Sequence, residues 1–230
     1  MKSDRILLDH GSGGRASQRF ISETILHYFK NPILENLDDS ADFSINGQKL
    51  AFTTDSYTVD PLFFPGGDIG KLAIHGTVND LAMRGAKPRY LSVGLIIEEG
   101  LSLADLDTIL KSMQQAAQEA DVLIVTGDTK VVPKGAADKI FINTSGVGII
   151  PNEIDISGKN ARTGDKIIIS GTIADHGITI MTQREGLNFD APLYSDTAPL
   201  NHLVEEMMSA SSQIHVLRDP TRGGIGTTLN

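Results

Sequence analysis

The sequence predicts an α+β protein, in which an N-terminal mixed or antiparallel sheet is covered by helices and a smaller, incomplete α/β unit follows. Three observations carry this expectation. Apolar residues alternate around Asn46-Gly47 between 41 and 54, the pattern of a tight two-residue hairpin. An amphipathic helix is legible over 102–120, where Leu103, Leu106, Leu110, Met113, Ala117 and Ala120 recur at helical spacing and are expected to face the core. Apolar runs at 90–97, 122–125 and 139–150 complete the order strand, helix, strand, helix, strand, strand, which suits helices lying over one sheet face.

The remaining elements follow in order. Asp9-His10-Gly11-Ser12-Gly13-Gly14-Arg15 is a glycine-rich loop ahead of a helical pattern with Phe20, Ile21, Ile25 and Phe29. Such a loop turns backbone N–H groups toward an anion, or it is simply a flexible arm. After the hairpin and a Pro-Gly loop at 61–67, Asp68 is placed to cap a helix running to about Arg84. Val122–Val125 feeds a loop, Gly127-Asp128-Thr129-Lys130, and 139–150 is a long strand or a strand pair. The polar, Pro- and Gly-interrupted stretch 151–165 marks the junction between a domain over 1–150 and a partial one over 151–230. In the second unit Asp175 is expected to cap a short helix, a helix is expected around 200–208, and Ile214–Leu217 is expected to be a strand ending in a Gly-rich turn that leads into a helix.

Composition removes several classes of function. A net charge of -9 and a pI near 5.1 argue against nucleic acid or an anionic membrane as partner, because both need a basic surface. The absence of cysteine among the 230 residues excludes disulfides and thiolate metal sites within them. The first residues hold only Ile6-Leu7-Leu8 as an apolar run, too short for a signal peptide or a spanning helix, so a cytoplasmic location is expected.

The carboxylates suggest chemistry. Asp80 sits within an apolar helix, where an ionised carboxylate costs desolvation energy unless a cation or a hydrogen-bond partner compensates it. Gly76 and Thr77, one turn earlier, leave room for a ligand beside it. The hairpin brings its open ends together, so that Asp39 and Asp55 either share a site or, for Asp39 and its neighbour Asp38, act as turn residues.

Together, His10-Gly-Ser-Gly-Gly, Thr54-Asp-Ser-Tyr, Asp60-Pro-Leu-Phe-Phe-Pro-Gly-Gly, Gly76-Thr-Val-Asn-Asp-Leu-Ala, Ile97-Glu-Glu-Gly, Thr126-Gly-Asp-Thr-Lys-Val-Val and Asp219-Pro-Thr-Arg-Gly-Gly resemble the HypE family of hydrogenase maturation proteins. That family falls within the superfamily of ATP-binding proteins that includes aminoimidazole ribonucleotide synthetase and selenophosphate synthetase. The resemblance implies a homodimer whose N-terminal sheets pair into a shared barrel, with ATP and Mg2+ as cofactors. It implies ATP-dependent dehydration of a carbamoyl group, carried on a C-terminal cysteine, to the thiocyanate that gives nickel-iron hydrogenase its cyanide ligand. The implied partners are a HypF-type carbamoyltransferase and a HypC and HypD type complex.

By the same resemblance Asp39, Asp80 and Asp219 hold Mg2+ against the phosphates, which hard oxygen ligands suit. His10, Gly11, Gly13, Gly14, Asp55, Asn79, Gly127, Asp128 and Thr129 contact nucleotide, and Lys130 acts as a base or a phosphate ligand unless it is a plain surface lysine. The family pattern continues past the Asp-Pro-Thr-Arg-Gly-Gly segment to a cysteine that these residues lack, so a truncated chain is expected. Two alternatives stay open: a non-catalytic dimeric ATP-binding scaffold for maturation partners, and another superfamily kinase or synthetase such as a thiamine-phosphate kinase.

Overall fold

The computed structural model describes residues 5–187 and 189–229. Met1–Asp4 and Asn230, on which expectations about the two ends rest, lie outside them. The architecture is α+β. Strands β1 (Ala41–Ile45), β2 (Gln48–Tyr57), β5 (Lys87–Glu98), β6 (Leu123–Val132) and β7 (Ile140–Ile150) form one mixed sheet in the order β1-β2-β7-β5-β6. Only β5 and β6 run parallel, joined through a helix, and β3 (Phe63–Phe64) with β4 (Gly67–Asp68) makes a small separate hairpin.

The β1–β2 turn takes the geometry that its sequence demands, with Asn46 and Gly47 at φ 52° and 82°. Helix α3 (Ile69–Ala82) starts where expected, because the Asp68 carboxylate accepts from the backbone N–H groups of Gly70 and Lys71. Ser102 caps α4 (Leu103–Glu119) in the same way through Ala104 and Asp105. The two helices bury Ile69, Ala73, Ile74, Val78, Ile109 and Met113 against Leu91, Ile140 and Ile142 of the sheet. The glycine loop leads into a helix built from α1 (Arg15–Phe20), a π-helical turn over Ile21–Ile25 and α2 (Leu26–Phe29).

Three local expectations are corrected. The buried stripe of α4 runs through Ile109, Met113, Ala116 and Ala117, whereas Leu103 is 82% and Leu110 44% exposed. The apolar residues wrap further around this helix than one face, and contact with α3 selects which of them are covered. Gly127–Lys130 does not form a loop, since the parallel ladder with β5 continues through Gly94–Asp128 to Glu98–Val132. Ile214–Leu217 is not a strand, because no neighbouring segment among the described residues offers it a ladder.

The second unit consists of α5 (Asp175–Glu185), α6 (Asn201–Ala210) and α7 (Gly224–Thr228), joined by irregular segments. Asp175 is the first residue of α5 and Ala174, at φ 70°, occupies the cap. Val204 packs with Leu200, Met208 and Leu217 on Ala82 and Met83 at the end of α3, and Arg84, just beyond, is buried. Its guanidinium bonds Asp38 at 2.8 Å and Asp42 at 2.6 Å and also donates to the carbonyl of Ile156. A buried cation with partners on the strand side and in the second unit fixes their relative placement.

Candidate functional site: a carboxylate cluster on helix α3

Four carboxylates converge where β1, β2, α3 and the loop at 218–224 meet. The hairpin register pairs Ala41 with Phe52, so the chain entering β1 runs beside Thr53–Asp55 and carries Asp39 there. Thr53 Oγ1 lies 2.8 Å from Asp80 Oδ2 and 3.1 Å from the carbonyl of Asp39, tying α3 to the hairpin entrance. Arg218 reaches Asp39 Oδ1 at 3.2 Å, while Asp39 Oδ2 is buried with no hydrogen-bond partner.

The electrostatics follow from that crowding. Burial first, then the charges of Asp219, Asp55 and Asp39, push the Asp80 carboxyl up to about 9. Burial and the neighbouring Asp39 and Asp55 push Asp219 up to about 8. Asp39 rises to about 6, chiefly by burial, and Arg218 restrains the rise. Burial and mutual repulsion therefore disfavour the ionised forms of Asp80 and Asp219. A divalent cation of hard character fits this set, with an unpartnered carboxylate oxygen and several more oxygens sharing one region. No three acidic or histidine side chains among the described residues form a ready metal cage.

The glycine loop lies beside this cluster. Gly13, at φ 82°, presses on the turn after Asp219, and a Cβ there would overlap the backbone of Arg222. Thr227 Oγ1 donates to the Gly13 carbonyl at 3.1 Å. Gly11 faces open space, and a Cβ on Gly14 would meet only Ser12 Oγ, at 3.9 Å. His10 accepts the Leu7 N–H on Nδ1 at 3.0 Å and stacks on Phe20.

Asn79 points elsewhere. Its amide donates to the Ala198 carbonyl at 3.0 Å and accepts the Leu200 N–H at 2.8 Å, holding the second unit on α3. Gly127, Asp128, Thr129 and Lys130 are also apart. They lie exposed on edge strand β6, and Asp128 shares a row with Gly94, Asn143 and Ser56. Three strand spacings separate it from the Asp55 end of β2, roughly 14 Å. A Cβ on Gly127 would overlap the Val93 carbonyl, so close strand packing already requires glycine there.

Sequence reasoning missed Thr53, Arg84 and Arg218. The signal for Thr53 was the polar run Thr53–Ser56 in a strand otherwise patterned for burial. The arginines gave none, since their partners are remote in sequence.

Comparison with known proteins places the chain in a family. The N-terminal domain of AIR synthase related proteins matches residues 37–150, and the C-terminal domain matches 162–230. The carbamoyl dehydratase HypE of Azotobacter vinelandii is 50% identical over the whole chain. A crystal structure of a HypE–HypF complex superimposes with a TM-score of 0.87 at 54% identity, covering 91% of this chain and 68% of that one. A HypE in complex with ATP gives 0.77 at 60% identity, covering 98% and 67%. The chain spans about two thirds of the length of the relatives that it matches, 67% for the Azotobacter protein.

Proposed function

We propose a function on the premise that the chain belongs to the HypE family of AIR synthase related proteins: it supplies the ATP- and Mg2+-binding part of a carbamoyl dehydratase for hydrogenase maturation. The observation that carries this reading is the Asp39, Asp55, Asp80 and Asp219 cluster, with the orphaned Asp39 Oδ2 and with the Asp80 and Asp219 carboxyls pushed up to about 9 and about 8 by burial and by their neighbours' charges. Mg2+ bound there, with Asp39, Asp80 and Asp219 as ligands and Asp55 beside them, would neutralise charge as phosphoryl transfers. The ATP complex of a relative supports the nucleotide.

In the proposed reaction the carbamoyl oxygen of a thiocarbamate takes the γ-phosphoryl group of ATP, ADP departs, and the oxygen then leaves as phosphate. Two protons leave the nitrogen, and the carbon–nitrogen bond becomes a nitrile. The 230 residues hold no cysteine, so in this proposal the sulfur comes from outside them. Asp80 and Asp219 would hold and orient the phosphate side of the substrate through the cation. The glycine loop, with His10, Gly11, Gly13 and Gly14, would contact the nucleotide from its place against the Arg222–Gly223 backbone.

Asp128, Thr129 and Lys130 are too far from the cluster to join it within one chain. Their part in the proposal, phosphate binding or proton removal by Lys130, belongs to a homodimer in which β6 of one copy approaches the cluster of the other. The exposed Leu123, Val125 and Val131 on that strand support such a contact. The HypE–HypF complex supports a HypF-type carbamoyl donor, and a HypC and HypD type acceptor with a cytoplasmic location completes the reading. No helix among the described residues is long and apolar enough to cross a membrane.

Titration calorimetry of ATP into the chain with and without Mg2+ tests the proposal. Binding that requires the cation supports it, and no binding in either condition sinks it.

A further inference from the structure

We propose that Tyr57 is a positioning residue that aims Asp55 into the cation–phosphate site, and that residue 76 is glycine in order to admit the Tyr57 hydroxyl. The inference rests on the function proposed above and adds a residue to its machinery. Tyr57 ends β2, two residues after Asp55, and its ring is buried beneath α3. Its hydroxyl donates to Asp55 Oδ2 at 3.0 Å and stands 3.3 Å from Thr77 Oγ1.

The direction of this bond is set from the other end of a chain of hydroxyls. Thr144 Oγ1 donates to the Ala73 carbonyl at 3.1 Å, so it can only accept from Thr77, which abuts it. The Thr77 proton is thereby committed to Thr144. Tyr57 is left with one proton and one charged acceptor, Asp55, and the longer contact to Thr77 is the one that carries no proton. Thr77 and Thr144 are fully buried, so water does not compete within the chain. Burial, and then the charge of Asp55, also raise the Tyr57 phenol well above its ordinary range, so the donor keeps its proton.

Gly76 is part of the same device. A Cβ at residue 76 would overlap Tyr57 Oη and stand 3.0 Å from Cζ. Glycine at 76 therefore lets the helix lie this close to the Tyr57 ring, with the hydroxyl making the tightest approach.

The test uses the 230-residue chain with Mn2+·ATP as the probe, reading affinity by calorimetry and the ligand-free thermal midpoint. Tyr57→Phe is expected to weaken Mn2+·ATP binding about tenfold, as befits one lost bond to a charged group, with the ligand-free midpoint within about 2 °C of the parent. A structural role alone would move the midpoint and spare the affinity. Gly76→Ala is expected to lower both, and adding Tyr57→Phe to it is expected to raise the midpoint again without lowering affinity further. Parent-like affinity in Tyr57→Phe overturns the inference and leaves the proposed function standing. A parent chain that binds no Mn2+·ATP overturns both.

Discussion

Asn79 and Asp80 are adjacent on α3, yet their side chains serve different halves of the molecule. Asn79 grips the backbone of Ala198 and Leu200, whereas Asp80 takes the Thr53 hydroxyl and faces the carboxylate cluster. One helical turn thus contacts both the second unit and the carboxylate cluster.

Asp80→Asn should separate binding from folding. The amide keeps the shape and removes a carboxyl that burial and its neighbours disfavour as an anion. We expect Mg2+-dependent ATP affinity to fall at least about tenfold, the scale of one charge-assisted contact, while the thermal midpoint at pH 8 stays level or rises. Equal nucleotide affinity in mutant and parent would remove Asp80 from the site.

Asn79→Ala should loosen the second unit without touching the cluster directly. Two hydrogen bonds are lost and the Leu200 N–H loses its partner, a cost of about 1–3 kcal/mol. Limited proteolysis between residues 187 and 200 should accelerate. An unchanged cleavage rate would mean that Asn79 does not hold this contact in solution.

Arg84→Met should be severe. It leaves Asp38 and Asp42 without their cation in a site where Arg84 and Asp38 are 5% and 7% exposed, and breaking a buried pair costs about 3–5 kcal/mol. Urea unfolding measures this, and a loss below about 1 kcal/mol would show that the pair adds little beyond its surroundings.

The cluster gives stability a definite pH dependence. Asp39, Asp80 and Asp219 have folded values of about 6, 9 and 8, above the ordinary 3.8. The folded state therefore binds more protons than the unfolded one, and their contribution is fully present below about pH 4 and is lost as pH rises through the folded values. Between pH 6 and 9, without divalent cation, the thermal midpoint should fall from this source, and Mg2+·ATP should flatten the fall. A cation-free midpoint that rises over this range, in the parent but not in Asp80→Asn, would reverse the assigned sign.

Much of the fold was legible because it is local. Asn46-Gly47, Asp68 and Ser102 fix a turn and two helix starts through contacts within a few residues. The convergence of Asp39 with Asp55 followed from hairpin geometry, and the burial of Asp80 from its apolar neighbours. Features that depend on remote partners were not legible. Arg84 looks like any helix-end arginine until Ile156 and Asp38 fold around it. Gly127–Lys130 reads as a loop until the β5 ladder extends it, and the same ladder places Asp128 far from Asp55. Ile214–Leu217 has strand composition, but composition alone supplies no neighbour.

We expect the cluster to hold protons until a cation and phosphates replace them. Calorimetry of Mg2+·ATP binding at pH 7.5, in two buffers of different ionisation enthalpy, measures the protons exchanged. We expect cation-dependent binding with net proton release that is smaller in Asp80→Asn. Binding without proton release, or with the same release in the variant, would contradict it.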